Sequence, residues 1–129
     1  MNLNAFLIVF FGGGLGAAIR HGVNTMLGRL AGHDFPIGIM AINISGSILM
    51  GLAAGYFAFR AGEAWSQSAR LFVTTGVLGG YTTFSAFSLD AMLLYERGEI
   101  ATALFYVIGS VVLSILGLAF GLAAVRAFS

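Results

Sequence analysis

Among its 129 residues the chain has no cysteine and no lysine, a single proline and only two histidines. Without cysteine there can be no disulfide framework and no thiolate metal site. His21 and His33 are too few, and lie too near a connection, to form a metal cluster. Charge is scarce as well: 9% of residues are charged, against roughly 25% in a soluble domain. The net charge of +1 excludes a polybasic nucleic-acid binder. Nothing in the chain resembles a hydrolytic or redox active site, so an enzyme is not expected.

What is present is apolar. Hydrophobic residues make up 59% of the chain, more than so short a chain could bury in one aqueous core. Lipid is the solvent that accepts such a composition. Four apolar stretches, residues 3–23, 36–59, 69–95 and 100–127, each meet the roughly 20 residues a helix needs to cross the hydrocarbon core. The predicted fold is therefore all-α: four transmembrane helices in one membrane domain over residues 1–129. The connections carry the turn and charge signals, Gly28-Arg29, Gly32-His33-Asp34, Arg60 to Ser68 and Glu96-Arg97-Gly98-Glu99. Pro36, the only proline, sits at the expected start of the second helix, where its fixed φ helps and its missing N–H costs nothing. The first stretch lacks a basic n-region and outruns a secretory h-region, so it reads as a retained span. Four spans put both termini on one side of the membrane.

Orientation normally follows an excess of basic residues in the cytoplasmic loops. Here Arg60, Arg70 and Arg126 on the terminal side balance Arg20, Arg29 and Arg97 on the other. Either the topology is weakly determined, or copies insert both ways and pair as an antiparallel dimer; the balance in so small a chain favours the second. Glycines recur at small-xxx-small spacing in Gly12/Gly16, Gly51/Gly55, Gly76/Gly80 and Gly117/Gly121. They let helix backbones approach closely, within one subunit or between two.

Polar groups inside a span are costly unless they serve a path or a partner. Asn43 and Ser47, at i and i+4, share a helix face. The amide either bonds helices together or offers N–H donors to an anion. Gly79, Gly80, Thr82 and Thr83 make a poor helix interior, so the third helix is expected to break within the membrane between residues 79 and 88. Irregular backbone at that depth is tolerated where it is buried in protein or lines a cavity, and broken helices present carbonyls to cations and N–H groups to anions. Immediately after, Phe84 and Phe87 stand at i and i+3 with Ser85 and Ser88 interleaved. A phenyl ring has a positive edge that can stabilise a small anion without trapping it as a buried arginine would. In the last span Tyr106, Ser110 and Ser114 form one polar stripe, although serine also bonds back to its own helix. Arg20 is expected to snorkel to the interface. Asp90, the only acid embedded in a helix, either caps the pathway or pairs with an arginine.

These residues resemble the CrcB/Fluc family of fluoride channels over nearly the whole chain. GGGLGAAIR (12–20) is similar to the family's glycine-rich first helix, NISGSILMG (43–51) to its second-helix motif, and TGVLGGYTTFSAFS (75–88) to its third-helix signature. The last is the specific one. The resemblance implies passive export of cytoplasmic fluoride across a bacterial inner membrane, through two pores in an antiparallel, dual-topology homodimer. It implies a pore lined by Asn43, Phe84, Phe87 and Ser110, to which the flanking Ser85 and Ser114 are added here. It further implies a structural Na⁺ at the dimer interface, held by the backbone carbonyls of Gly79 and Thr82 from both subunits. Three positions depart from the family pattern: Asp90 stands for the usual Glu, Ala86 for Thr, and His21 for an aromatic. A small multidrug exporter, also four spans, would need an acid in its first helix, and this one has none. An accessory assembly subunit would explain the glycines but not the aligned Phe and Ser residues.

Overall fold

A computed structural model describes residues 3–59 and 66–128; Arg60, counted above on the terminal side, lies outside them. The described residues fold as α1 Leu3–Ala31, α2 Ile37–Phe59, α3 Ser66–Arg70, a π-helical stretch Leu71–Leu78, α4 Gly79–Tyr81, α5 Phe84–Glu96 and α6 Ile100–Ala127. Four helical stretches, Leu3–Ala31, Ile37–Ala58, Gln67–Glu96 and Ile100–Ala127, are long and apolar enough to cross a membrane. The chain is a multi-pass membrane protein.

The first helix runs past its expected end at residue 23 to Ala31. At 1.5 Å per residue it is about 44 Å long, well beyond the roughly 30 Å of a hydrocarbon core. His21 and Arg29 interrupt its hydropathy but not its backbone, so Gly28-Arg29 belongs to the helix and not to the connection. The helix stops at Gly32, whose φ of 83° suits only glycine well, with the Gly32 N–H bonded to the Gly28 carbonyl at 2.9 Å. Gly98 (φ 82°) stops α5 in the same way. There the Glu99 N–H reaches the Leu94 carbonyl and the Gly98 N–H the Tyr95 carbonyl, both at 3.0 Å, the paired bonds of a Schellman end. Arg97 ties the two connections together, donating to the Asp34 carbonyl at 2.9 Å and pairing with Glu99 at 2.8 Å.

Two helix pairs carry the packing: α2 lies along α6, and α1 lies along the π-helical stretch and α4. The glycine pairs sit at these seams within the subunit. A methyl on Gly121 would come within 2.6 Å of the Ile48 carbonyl and 2.7 Å of the Leu52 nitrogen. One on Gly12 would lie 2.9 Å from the Phe72 carbonyl and 3.0 Å from the Gly76 Cα. Side chains are thus excluded so that backbones can touch. A small core joins α2, α5 and α6 through Ile39, Met40, Ile42, Phe87, Leu94, Ala103 and Tyr106. Large apolar side chains such as Phe10 on α1 and Ile115 and Phe120 on α6 point outward, as they do where lipid is the solvent.

The third span departs from α-helical geometry twice. Upstream, the π-helical stretch widens the turn, so the Gly79 N–H reaches back to the Thr74 carbonyl. Downstream, Thr82 (φ −81°, ψ 158°) and Thr83 (φ −152°, ψ 124°) are extended. The non-helical piece is therefore two residues, narrower than the five from Gly79 to Thr83 that glycine content suggested. Gly79 and Gly80 remain helical; Gly80 is needed because a methyl there would lie 2.9 Å from the Gly13 Cα of α1.

Candidate functional site

The two extended threonines are held by α2. Asn43 Nδ2 donates to the Thr83 carbonyl at 3.0 Å, and its Oδ1 accepts the Thr83 N–H at 2.9 Å. One side-chain amide thereby satisfies both backbone groups that a continuous helix would have paired internally. The Thr83 hydroxyl accepts the Ala86 N–H at 3.2 Å and so caps α5. Thr82 turns its hydroxyl back to the Leu78 carbonyl at 3.0 Å, and its methyl packs on Gly46. Tyr81 OH and Ser45 Oγ lie 2.9 Å apart and fasten α4 to α2.

These bonds have a consequence for two carbonyls. In an α-helix the Gly79 carbonyl would receive the Thr83 N–H, and the Thr82 carbonyl the Ala86 N–H. Both donors are diverted, the first to Asn43 and the second to the Thr83 hydroxyl. The carbonyl between them, Gly80, accepts Arg20 Nε at 3.2 Å. Arg20 is thus turned inward to the third span instead of snorkelling out, because the Gly13–Gly80 approach brings that carbonyl within reach.

Beside the interruption lies a cavity of about 280 Å³. Asn43 and Ser47 line it from α2, Thr82, Thr83, Phe84 and Phe87 from the third span, and Ser110 and Ser114 from α6. The Asn43 amide keeps a second N–H beyond the one donated to Thr83, so it both holds the helices and faces the cavity. Ser110 is 3% exposed, and its hydroxyl has no partner among the described residues. Buried polar atoms are nearly always paired, which marks this hydroxyl as one available to a guest. The Phe84 and Phe87 rings lie 5.6 Å apart at 48°. Phe87 is buried and Phe84 is 77% exposed, so the pair spans the cavity from core to surface. Phe87 also packs on Tyr106 at 5.1 Å, and Tyr106 OH donates to Asp90 Oδ2 at 3.3 Å. Asp90 is therefore held by a tyrosine and not by an arginine.

Six of the residues singled out from sequence for their polar or aromatic side chains, Asn43, Ser47, Phe84, Phe87, Ser110 and Ser114, line this one cavity, as does Thr82, whose carbonyl was expected on the Na⁺. Ser85 does not join them. It is exposed, and its hydroxyl lies 3.4 Å from Thr83 Oγ1, because one residue past Phe84 the helix has turned about 100°. The Ser88 hydroxyl is engaged by the Phe84 carbonyl at 2.9 Å. Thr83 had not been singled out by itself, although a threonine three residues ahead of a helical N–H is an ordinary capping signal.

A charge-poor bundle of spanning helices, with a largely apolar cavity that carries an amide and several hydroxyls beside interrupted backbone, defines a membrane transport protein. The family described as CrcB-like protein, Camphor Resistance (CrcB), matches residues 7–122, and the chain belongs to it. It is 60% identical over 124 residues to the fluoride-specific ion channel FluC of Rhodopseudomonas palustris (strain BisB5), covering 96% of this chain and 98% of that one. It is 64% identical over 121 residues to fluoride-specific ion channel FluC 2 of Nitrobacter hamburgensis, covering 94% and 96%. Against the FluC of Methylobacterium sp. (strain 4-46) the identity is 57% over 122 residues, covering 95% and 96%.

Proposed function

We propose that this chain is a fluoride channel, not an enzyme, and that the cavity between α2, α5 and α6 is part of its conduction path. The observation that carries this reading is the convergence of a second Asn43 N–H, the unpartnered Ser110 hydroxyl and the paired Phe84 and Phe87 rings on one cavity. These donors are neutral. They can replace part of the hydration shell of a small anion, and none is a fixed cation that would hold it. Hydrogen fluoride crosses lipid as a neutral acid and dissociates inside a cell, so a passive path for the anion relieves its accumulation.

The assembly proposed is an antiparallel, dual-topology homodimer in the cell membrane, with two pores and the interruption of the third span near mid-membrane. The near balance of arginines at the two ends, Arg29 and Arg97 against Arg60, Arg70 and Arg126 with Arg20 turned to the third span, accords with it. A structural Na⁺ fits the carbonyls of Gly79 and Thr82, since both have lost their helical donors and oxygen is a hard ligand suited to a hard cation. Its charge would fix the interrupted backbones of the two subunits against each other. The chain's own residues do the rest: Asn43 holds Thr83, and Thr83 caps α5, which orients both phenyl rings.

Purified protein reconstituted in liposomes and read with a fluoride electrode tests the reading. Wild-type protein should release internal fluoride well above empty liposomes, and Phe84→Ile should cut the rate sharply while the dimer stays intact. Release no faster than from empty liposomes would overturn it.

A further inference from the structure

The cavity just described has a neighbour along α2. A second one, of about 250 Å³, lies toward the chain-termini end and is lined by Met50, Ala54, Phe57 and Ala58 of α2 and by Arg70 and Thr74 of the third span. Met50 lines both cavities. Along α2 the lining residues therefore run in one series, from Asn43 and Ser47 through Met50 to Ala54 and Phe57. The two spaces follow one another along one face of α2 with Met50 between them, and Arg70 lines the outer one.

The chemistry of that end differs from the interior. The Thr74 hydroxyl donates to the Arg70 carbonyl at 2.7 Å, so its proton is engaged and the guanidinium supplies the donors. The side chains that α2 contributes there are apolar. Arg97 and Glu99 pair at the opposite end, and none of the carboxylates among the described residues, Asp34, Asp90, Glu96 and Glu99, lies at the Arg70 end. The cation is thus exposed beside an opening, with apolar walls that focus its field.

We infer that Arg70 is the anion-collecting residue of this mouth, drawing fluoride from solution toward the Met50 passage and the neutral donors beyond it. The inference rests on the fluoride-channel reading and adds a division of labour. A fixed cation acts at the entrance, where the ion still has water, and uncharged groups act inside, where a cation would trap it. An arginine that only anchored the helix at headgroup level would leave the flux unchanged on neutral replacement.

The test is fluoride release from liposomes carrying wild-type, Arg70→Gln or Arg70→Lys protein, at fluoride concentrations low enough for entry to limit the rate. Ionic strength is set at about 0.01 M and about 0.3 M with an impermeant salt, because the screening length falls from roughly 30 Å to well under 10 Å over that range. Arg70→Gln should run on the order of threefold slower than wild type at low ionic strength, in keeping with the lower end of electrostatic steering. The deficit should close at high ionic strength, and Arg70→Lys should stay near wild type throughout. Equal rates for Arg70→Gln and wild type at low salt would overturn the inference, as would a deficit that salt does not change or that Lys shares. Gel filtration of each variant separates loss of flux from loss of assembly. Wild-type liposomes that release no fluoride would instead count against the channel reading itself.

Discussion

Replacing Asn43 with Asp changes one atom type and should affect both functions that the structure gives this side chain. The Thr83 N–H at 2.9 Å can still be accepted by a carboxylate oxygen, but the donor to the Thr83 carbonyl at 3.0 Å is lost and an oxygen faces an oxygen. Leaving a half-buried carbonyl unpaired costs about 1 kcal/mol, the lower end of the range for buried groups, which loosens the extended pair without unfolding four spans. The larger effect is on the anion. A carboxylate about 4 Å from a fluoride in the cavity repels it by roughly 4 kcal/mol at an effective dielectric constant near 20. That corresponds to about a thousandfold lower occupancy, which takes release down to the liposome background. Asn43→Ala removes both bonds but adds no charge, so its flux should fall less than that of Asn43→Asp. Electrode-monitored release from liposomes containing each variant, with gel filtration to confirm assembly, gives the answer. Release from Asn43→Asp within threefold of wild type, or an Ala variant slower than the Asp variant, would refute the placement of Asn43 on the anion path.

Ser110→Ala should separate transport from stability: it removes a buried hydroxyl with no partner, so flux should drop severalfold while thermal stability in detergent holds or rises by about 1 kcal/mol. Lower stability with unchanged flux would mean that the hydroxyl is structural. Gly121→Ala forces a methyl against the Ile48 carbonyl at 2.6 Å and should cost about 1–3 kcal/mol through separation of α2 from α6. Gly14→Ala meets nothing within 4 Å and should be neutral or slightly stabilising; a thermal melt monitored by gel filtration compares the two. Replacing Na⁺ with a large organic cation throughout purification and assay should abolish release, and full activity without Na⁺ would remove the role given to the Gly79 and Thr82 carbonyls.

The spans were legible because composition and periodicity respond to the solvent around a helix, and lipid leaves a strong record. The end of α1 was not: Arg20, His21 and Arg29 lower hydropathy, but a helix stops where its backbone stops, and that is set by Gly32. The glycines of the third span signalled an irregularity in the right region but for the wrong local reason. Gly76 and Gly80 are small because α1 lies against them, whereas Gly79 meets nothing of α1; the extended pair one step later is set by a side chain 40 residues away, Asn43, which no local propensity encodes. Arg20 shows the same limit, since a guanidinium at this depth can turn outward or inward, and the closeness of Gly80 decides. The π-helical stretch left no signal in residue type. The aromatic and hydroxyl residues of the cavity were legible because helical spacing alone aligns Phe84 with Phe87 and Ser110 with Ser114.

The central claim is selective passage of fluoride, and the most direct measurement loads one set of liposomes with both fluoride and chloride. Release of each anion is then followed with its own electrode after the membrane potential is clamped with an ionophore. Wild-type protein should empty the liposomes of fluoride while chloride stays at the level of protein-free controls. Chloride released alongside fluoride, or neither anion released by correctly assembled protein, would contradict the account.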